Sequence, residues 1–187
     1  FSPDLAGLLP LEPEVRAIVA DTAAVFADLG ADVDDTIPDL RDADEVFTVR
    51  RALDFVGSWG TLLETDRERM KDSVVWNIEE GLRLTGAEVV SAESARARLS
   101  EEVDAFFADH DVLVLTTCQV LPFDIGIEYP TEIDGVPMET YLDWMRALCL
   151  ISATRCPASS VPAGFSASGL PVGVQLVARP GDVVRLL

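Results

Sequence analysis

The chain has 187 residues, with 33 Asp and Glu against 14 Lys and Arg, and a formal net charge of −19. That balance argues against nucleic acid and anionic membrane as electrostatic partners, because both are held by clustered Lys and Arg. One histidine (His110) and three cysteines without metal-ligand spacing (Cys118, Cys149, Cys156) argue against zinc chemistry and a complete disulfide set, so reduced thiols in a cytoplasmic setting are expected.

Lys71 is the only lysine. Abundant carboxylate with almost no lysine suits a solvent rich in salt, where self-repulsion is screened, and equally suits a GC-rich genome that supplies Arg for Lys. The length is that of one domain with a sizeable core. The sequence has no run of 18 apolar residues of the kind that spans a bilayer.

In chain order, Phe1 to Gly7 reads as a strand running out into a loop. Pro13 opens a helix at a position where its missing N–H costs nothing, with Glu12 and Glu14 near the positive end of the dipole. Val15, Ile18, Val19, Ala23, Phe26 and Leu29 recur at helical spacing, and Gly30 supplies the stop. Residues 31–37, with Val33 and Ile37 apolar between aspartates, predict a short strand, which makes an α/β unit. A second helix is expected from Asp39 to Gly60 through Leu40, Ala43, Val46, Phe47, Arg50 and Leu53. Its first turns carry Asp39, Asp42, Asp44 and Glu45. The acidic run from Asp32 to Glu45 is read as a solvated face with helix capping, not as a cation site.

Two more helices follow, Met70 to Leu84 and Ser91 to His110. The second buries Ala95, Leu99, Val103, Phe106 and Phe107, and His110 closes it at the negative end of the dipole. Val112 to Leu115 is wholly apolar and predicts a buried strand. It leads into Thr116, Thr117, Cys118 and a loop through Pro122, Gly126 and Pro130. Ligands gather where strands end in such loops, which makes Thr117 a candidate binding residue. Cys118 has no histidine nearby in sequence to activate it. An apolar helix runs from Tyr141 to Ala153. Ala158 to Ala163 and Val172 to Val177 then form two β-type runs around Gly164, Ser166, Ser168, Gly169 and Pro171, the signature of a hairpin with a loop longer than two residues. The second run is too uniformly apolar for a strand with one wet face. The expectation is one sheet containing 112–115, 158–163 and 172–177, the last two adjacent, with helices on both faces.

The run Pro157-Ala-Ser-Ser-Val-Pro-Ala-Gly164 followed by Gly169-Leu-Pro-Val-Gly-Val-Gln-Leu-Val177 resembles the C-terminal signature of the amidase signature hydrolases. In that family the pattern is P-A-x-S-V-P-A-G and then G-L-P-V-G-x-Q-L-V. Ser2-Pro-Asp-Leu5 is similar to a strand exit that follows the family's catalytic half. Two departures stand out. Thr117-Cys118-Gln119 lacks the proline expected after this strand, and Ser152 and Arg155 replace the Asn and Gly of the family's N-x-x-G-x-P.

The resemblance implies an α/β fold, the C-terminal portion of the amidase signature fold, with a mixed β-sheet covered by helices on both faces. Residues 1–187 would be the C-terminal part of a single domain extending before residue 1 and after residue 187. It implies carboxamide hydrolysis through an acyl-enzyme by a serine, a bridging serine and a lysine. No Gly/Ser-rich oxyanion segment occurs here, Lys71 lies among charged neighbours, and Ser159-Ser160 reads as structural within its strand. The catalytic set is therefore expected before Phe1, and no residue of this chain is assigned to it. The resemblance also implies that the helix at Tyr141 to Ala153 lines the acyl pocket, making Trp144, Met145 and Leu148 pocket candidates or else plain core residues. Arg155 either selects a carboxylate on the substrate or reaches solvent. No cofactor and no metal are expected. The expected partners are a small-molecule amide, the missing catalytic portion and, as a candidate assembly, a second copy of the chain. Two other readings stand beside this one: a non-catalytic binding or scaffold module derived from the fold, and the amidase subunit of a tRNA-dependent amidotransferase.

Overall fold

Val172 to Val177 lies at the centre of a three-stranded sheet, where so predominantly apolar a run belongs. The computed structural model describes residues 1–186 and arranges its main sheet in the order β1 (Leu113–Thr116), β5 (Pro171–Val177), β4 (Ala158–Phe165). Both pairings are antiparallel, with Val177 opposite Leu113 on one side and Ala158 on the other. β4 is the edge strand. Pro162, which has no N–H for a ladder, is tolerated there, and the register shifts between Pro162 and Gly164. A small hairpin of β2 (Glu132–Ile133) and β3 (Val136–Pro137) stands apart.

Helices cover both faces of the sheet, as its apolar strands require. On one face Val114, Val172 and Val174 pack against Leu11 and against Val15 and Val19 of α1 (Pro13–Asp28). On the other, Leu113, Leu115 and Val177 join a larger core. That core takes Val46 from α2 (Ala43–Trp59), Leu99, Val103 and Phe106 from α5 (Gly86–Asp109), and Leu150 from α6 (Arg146–Ala153). The short α3 (Leu62–Thr65) connects α2 to α4 (Asp72–Arg83), which packs back on α2. No helix among the described residues is long and apolar enough to cross a membrane.

Four expectations are corrected. Residues 31–37 form no strand. The outer edge of β1 is already occupied, since Ser2 N–H donates to the Val114 carbonyl at 2.9 Å and Thr116 N–H to that of Pro3 at 3.2 Å. Asp34 instead accepts the Thr36 N–H at its Oδ1 (2.9 Å) and the Phe1 amine at its carbonyl (2.6 Å). Leu29 falls beyond the end of α1 and is 80% exposed. α5 begins at Gly86, not Ser91. Thr85 accepts the Glu88 N–H at 3.3 Å, and the Glu88 carboxylate accepts the Thr85 N–H at 2.7 Å, a complete capping box that outweighs the helix-breaking tendency of Gly86. Tyr141 lies outside α6, whose approach is a 3-10 turn over Asp143–Met145.

His110 caps α5 as its sequence position implies. Its ring stacks on Phe106 at 4.2 Å, with Nδ1 3.0 Å from the Phe106 carbonyl and Nε2 3.1 Å from Asp34 Oδ2. The Phe106 carbonyl, then the Asp34 and Asp109 carboxylates, raise its pKa against the opposing effect of burial. A group raised in the folded state contributes stability that is fully present below its unfolded value, about 6.5, and is lost as pH rises through the folded value. The destabilisation caused by His110→Gln, read from denaturant midpoints, is therefore expected to shrink between about pH 6 and about pH 9. A penalty constant over that range would assign His110 to packing alone.

Candidate functional site

The end of β1 and the two strands of the hairpin enclose a groove of about 560 Å³ whose lining is mostly apolar. Its floor carries two hydroxyls. Thr117 N–H donates to the Gly173 carbonyl at 3.2 Å, extending the ladder one residue past β1. The Thr117 hydroxyl then meets that of Ser160 at 2.8 Å across β5. A Cβ on Gly173 would stand 2.9 Å from Ser160 Oγ and 3.0 Å from Thr117 Oγ1, so a glycine is needed for these hydroxyls to meet. The walls are Leu121, Phe123, Trp144, Pro162 and Phe165. Phe123 and Trp144 pack edge to face with centroids 5.4 Å apart, a geometry that aromatic quadrupoles favour.

The loop that brings Leu121 and Phe123 to the groove is set by Gln119, a fully buried side chain. Its Nε2 donates to the carbonyls of Pro10 and Asp143, both at 3.1 Å, and its Oε1 accepts the Ala147 N–H at 3.0 Å. Its own carbonyl accepts the Glu12 N–H at 3.0 Å. One amide thus ties the start of α1, the turn bearing Trp144 and the first turn of α6 to the end of β1.

Of the candidates from sequence, Thr117 and Trp144 meet in this groove. Met145 and Leu148 are half-buried on the 3-10 turn and α6, and neither lines it. Arg155 lies in a different cleft, exposed, with its Nη2 2.9 Å from Ser100 Oγ. Ser160, read from sequence as structural, is exposed on the edge strand with its hydroxyl in the groove. Strand alternation holds the signal for this: Ser160 and Pro162 share one face, while Val161 and Ala163 pack toward α1.

The Ser160 hydroxyl has the Thr117 hydroxyl as its one hydrogen-bond partner among the described residues, so no base there takes its proton. Lys71 is exposed at the start of α4, and His110 is engaged at the end of α5. Cys118 is exposed as a residue, yet desolvation around its sulfur holds the thiol above the usual cysteine range, the opposite of what a thiolate nucleophile needs. The groove can hold an apolar group and offer two hydroxyls to a polar one; by itself it activates neither. Gln175 stands opposite Ser160 on β5, buried, and its Nε2 has no hydrogen-bond partner among the described residues.

A protein-family model described as Amidase matches residues 5–187. An acylamidase of Rhodococcus erythropolis is 32% identical over 182 residues, covering 96% of this chain and 38% of the relative. A glutamyl-tRNA(Gln) amidotransferase chain of Brevibacillus brevis is 33% identical over 98 residues, covering 51% of this chain and 18% of the relative. A bacterial aryl acylamidase belonging to the amidase signature enzymes superposes with a TM-score of 0.81 at 22% identity, over 98% of this chain and 40% of its own. The 6-aminohexanoate cyclic dimer hydrolase does so with a TM-score of 0.77 at 22% identity, over 99% and 41%. At these identities the two structures establish the α/β fold. The chain spans 38% of the length of the acylamidase and 40% of that of the aryl acylamidase.

Proposed function

Since this chain belongs to the amidase family, we propose that it forms the C-terminal part of an enzyme that hydrolyses a carboxamide through an acyl-enzyme. The serine, bridging serine and lysine of that reaction would lie on residues outside the 187. This chain would supply the strands, the covering helices and one wall of the substrate pocket, with Thr117 and Trp144 in contact with substrate. Met145 and Leu148 would support that wall from behind.

The observation that carries this reading is the groove itself: an apolar trough with a hydroxyl pair at its floor and, among the described residues, no base to activate either hydroxyl. Such a surface suits the binding of an acyl or aryl group, while the reacting atoms need a deprotonating partner from elsewhere. The orphan amide of Gln175 supports it. A buried unpaired donor costs about 1–3 kcal/mol, and a carbonyl from the catalytic portion packing nearby would remove that cost.

The test is hydrolysis of an aryl amide by the 187-residue chain and by the protein that carries the serine–serine–lysine set as well. The chain alone is expected to give no turnover. In the longer protein, Trp144→Ala is expected to lower kcat/KM at least about tenfold, through lost contact with the apolar half of the substrate. Turnover by the short chain that disappears in Ser160→Ala would overturn this reading and make Ser160 the nucleophile.

A further inference from the structure

We propose that the cleft between α2, α5 and the C-terminal end of α6 is a binding site for a small organic carboxylate, gripped by the guanidinium groups of Arg51 and Arg155. In a chain with 33 carboxylates against 14 cations, an arginine without a carboxylate partner is the exception. Arg16, Arg41, Arg50, Arg67, Arg69, Arg83, Arg96, Arg98, Arg146, Arg179 and Arg185 each lie within ion-pair distance of an Asp or Glu. The two arginines that do not, among the described residues, line the same cleft.

Arg155 is held in the left-handed backbone region, with φ +64°. That conformation costs a non-glycine residue energy that glycine would not bear. An arginine kept there, tethered only by the Ser100 hydroxyl, gains nothing from an ion pair with a carboxylate of this chain. Arg51 is preorganised. Its Nε and Nη2 donate to Tyr141 Oη at 3.2 and 2.8 Å, Asn77 donates to the same oxygen at 2.6 Å, and the guanidinium lies 4.7 Å from the Phe55 ring centroid. Its Nη1 has no partner among the described residues and is the free donor. A guanidinium fixed over aromatic rings binds a carboxylate with little further loss of rotamer freedom.

Arg50 and Arg96, which also line the cleft, share Glu93, so two guanidiniums face one carboxylate; Asp54 is the one carboxylate among the lining residues and works against the site. The volume, about 330 Å³, and the rings of Phe47 and Phe55 suit a carboxylate on a small apolar body. The cleft shares no lining residue with the groove of Thr117 and Trp144, so the inference stands whether or not that groove takes an amide.

The experiment is calorimetric titration of the chain with benzoate at low ionic strength, with benzamide as the uncharged isostere compared in the Trp144→Ala background, where the groove proposed to take an amide is disabled. Saturable benzoate binding is expected, with benzamide at least about tenfold weaker, as a charge-assisted contact requires. Arg155→Gly is expected to weaken benzoate at least about tenfold without lowering the melting temperature, because glycine suits φ +64° better than arginine does. Arg51→Met is expected to weaken it similarly, and Trp144→Ala in the groove to leave it unchanged. No saturable binding, equal affinity for benzamide, equal affinity in Arg155→Gly, or loss of binding in Trp144→Ala would each overturn the proposal. None of these outcomes depends on amide turnover.

Discussion

Replacing Gln119 by alanine is expected to destabilise the chain by about 3–5 kcal/mol. The side chain is fully buried, and truncation strands three backbone groups at once: the carbonyls of Pro10 and Asp143 and the N–H of Ala147. Each buried group left without a partner costs about 1–3 kcal/mol, and water entering the vacated space recovers part of the sum. Gln119→Glu separates hydrogen bonding from volume. It preserves the shape and the acceptor for Ala147 but turns a carboxylate toward two carbonyl oxygens, so its penalty should ease as pH falls and the acid protonates. Guanidinium unfolding at constant slope is the measurement. A loss below about 1 kcal/mol for Gln119→Ala would mean that the loop from β1 to Phe123 is held by something other than this amide.

For Gly81→Ala even the sign of the effect depends on the tertiary structure. Gly81 lies inside α4, where alanine is favoured over glycine by about 1 kcal/mol, so propensity alone predicts a gain. In the fold, a Cβ at Gly81 would stand 2.4 Å from the Ala52 carbonyl oxygen and 2.5 Å from Val56 Cγ2, both on α2. The obstacle at Ala52 is backbone, which a rotamer change cannot move aside. α2 and α4 would have to separate, at a net cost expected to be about 2–3 kcal/mol after the propensity gain. The same separation would loosen Asn77 from Tyr141 and thereby free Arg51. Gly57→Ala on α2 is the control. A Cβ there meets nothing within 4 Å, so the propensity gain should appear undiminished. A rise in stability for both substitutions would refute the close approach of these helices.

Leu99, Val103 and Phe106 were legible as one buried stripe because helical spacing and burial obey the same 3.6-residue period, and Val172 to Val177 as a central strand because it is apolar on both faces apart from Gln175. The Pro157–Val177 pattern likewise carried the family, since its glycines and prolines are local backbone requirements written residue by residue. Thr117 was reachable as a binding candidate from its place at a strand end, and Trp144 only through the resemblance, which implied that its helix lines the acyl pocket.

What the sequence alone determined is therefore local or periodic: the helices, the apolar strands, the hairpin and the family. What only the tertiary structure decided depends on neighbours far away in the chain. Residues 31–37 form no strand, and it is Ser2 and Pro3 that lie against the edge of β1, with the Phe1 amine donating to the Asp34 carbonyl at 2.6 Å. Ser160 became part of a groove because Gly173 and Thr117 lie across from it. Arg51 and Arg155 share a cleft although more than half of the chain lies between them. Periodicity records which side of an element is dry. Which polar groups that packing brings face to face is set by the docking of whole elements, and no window of sequence spans it.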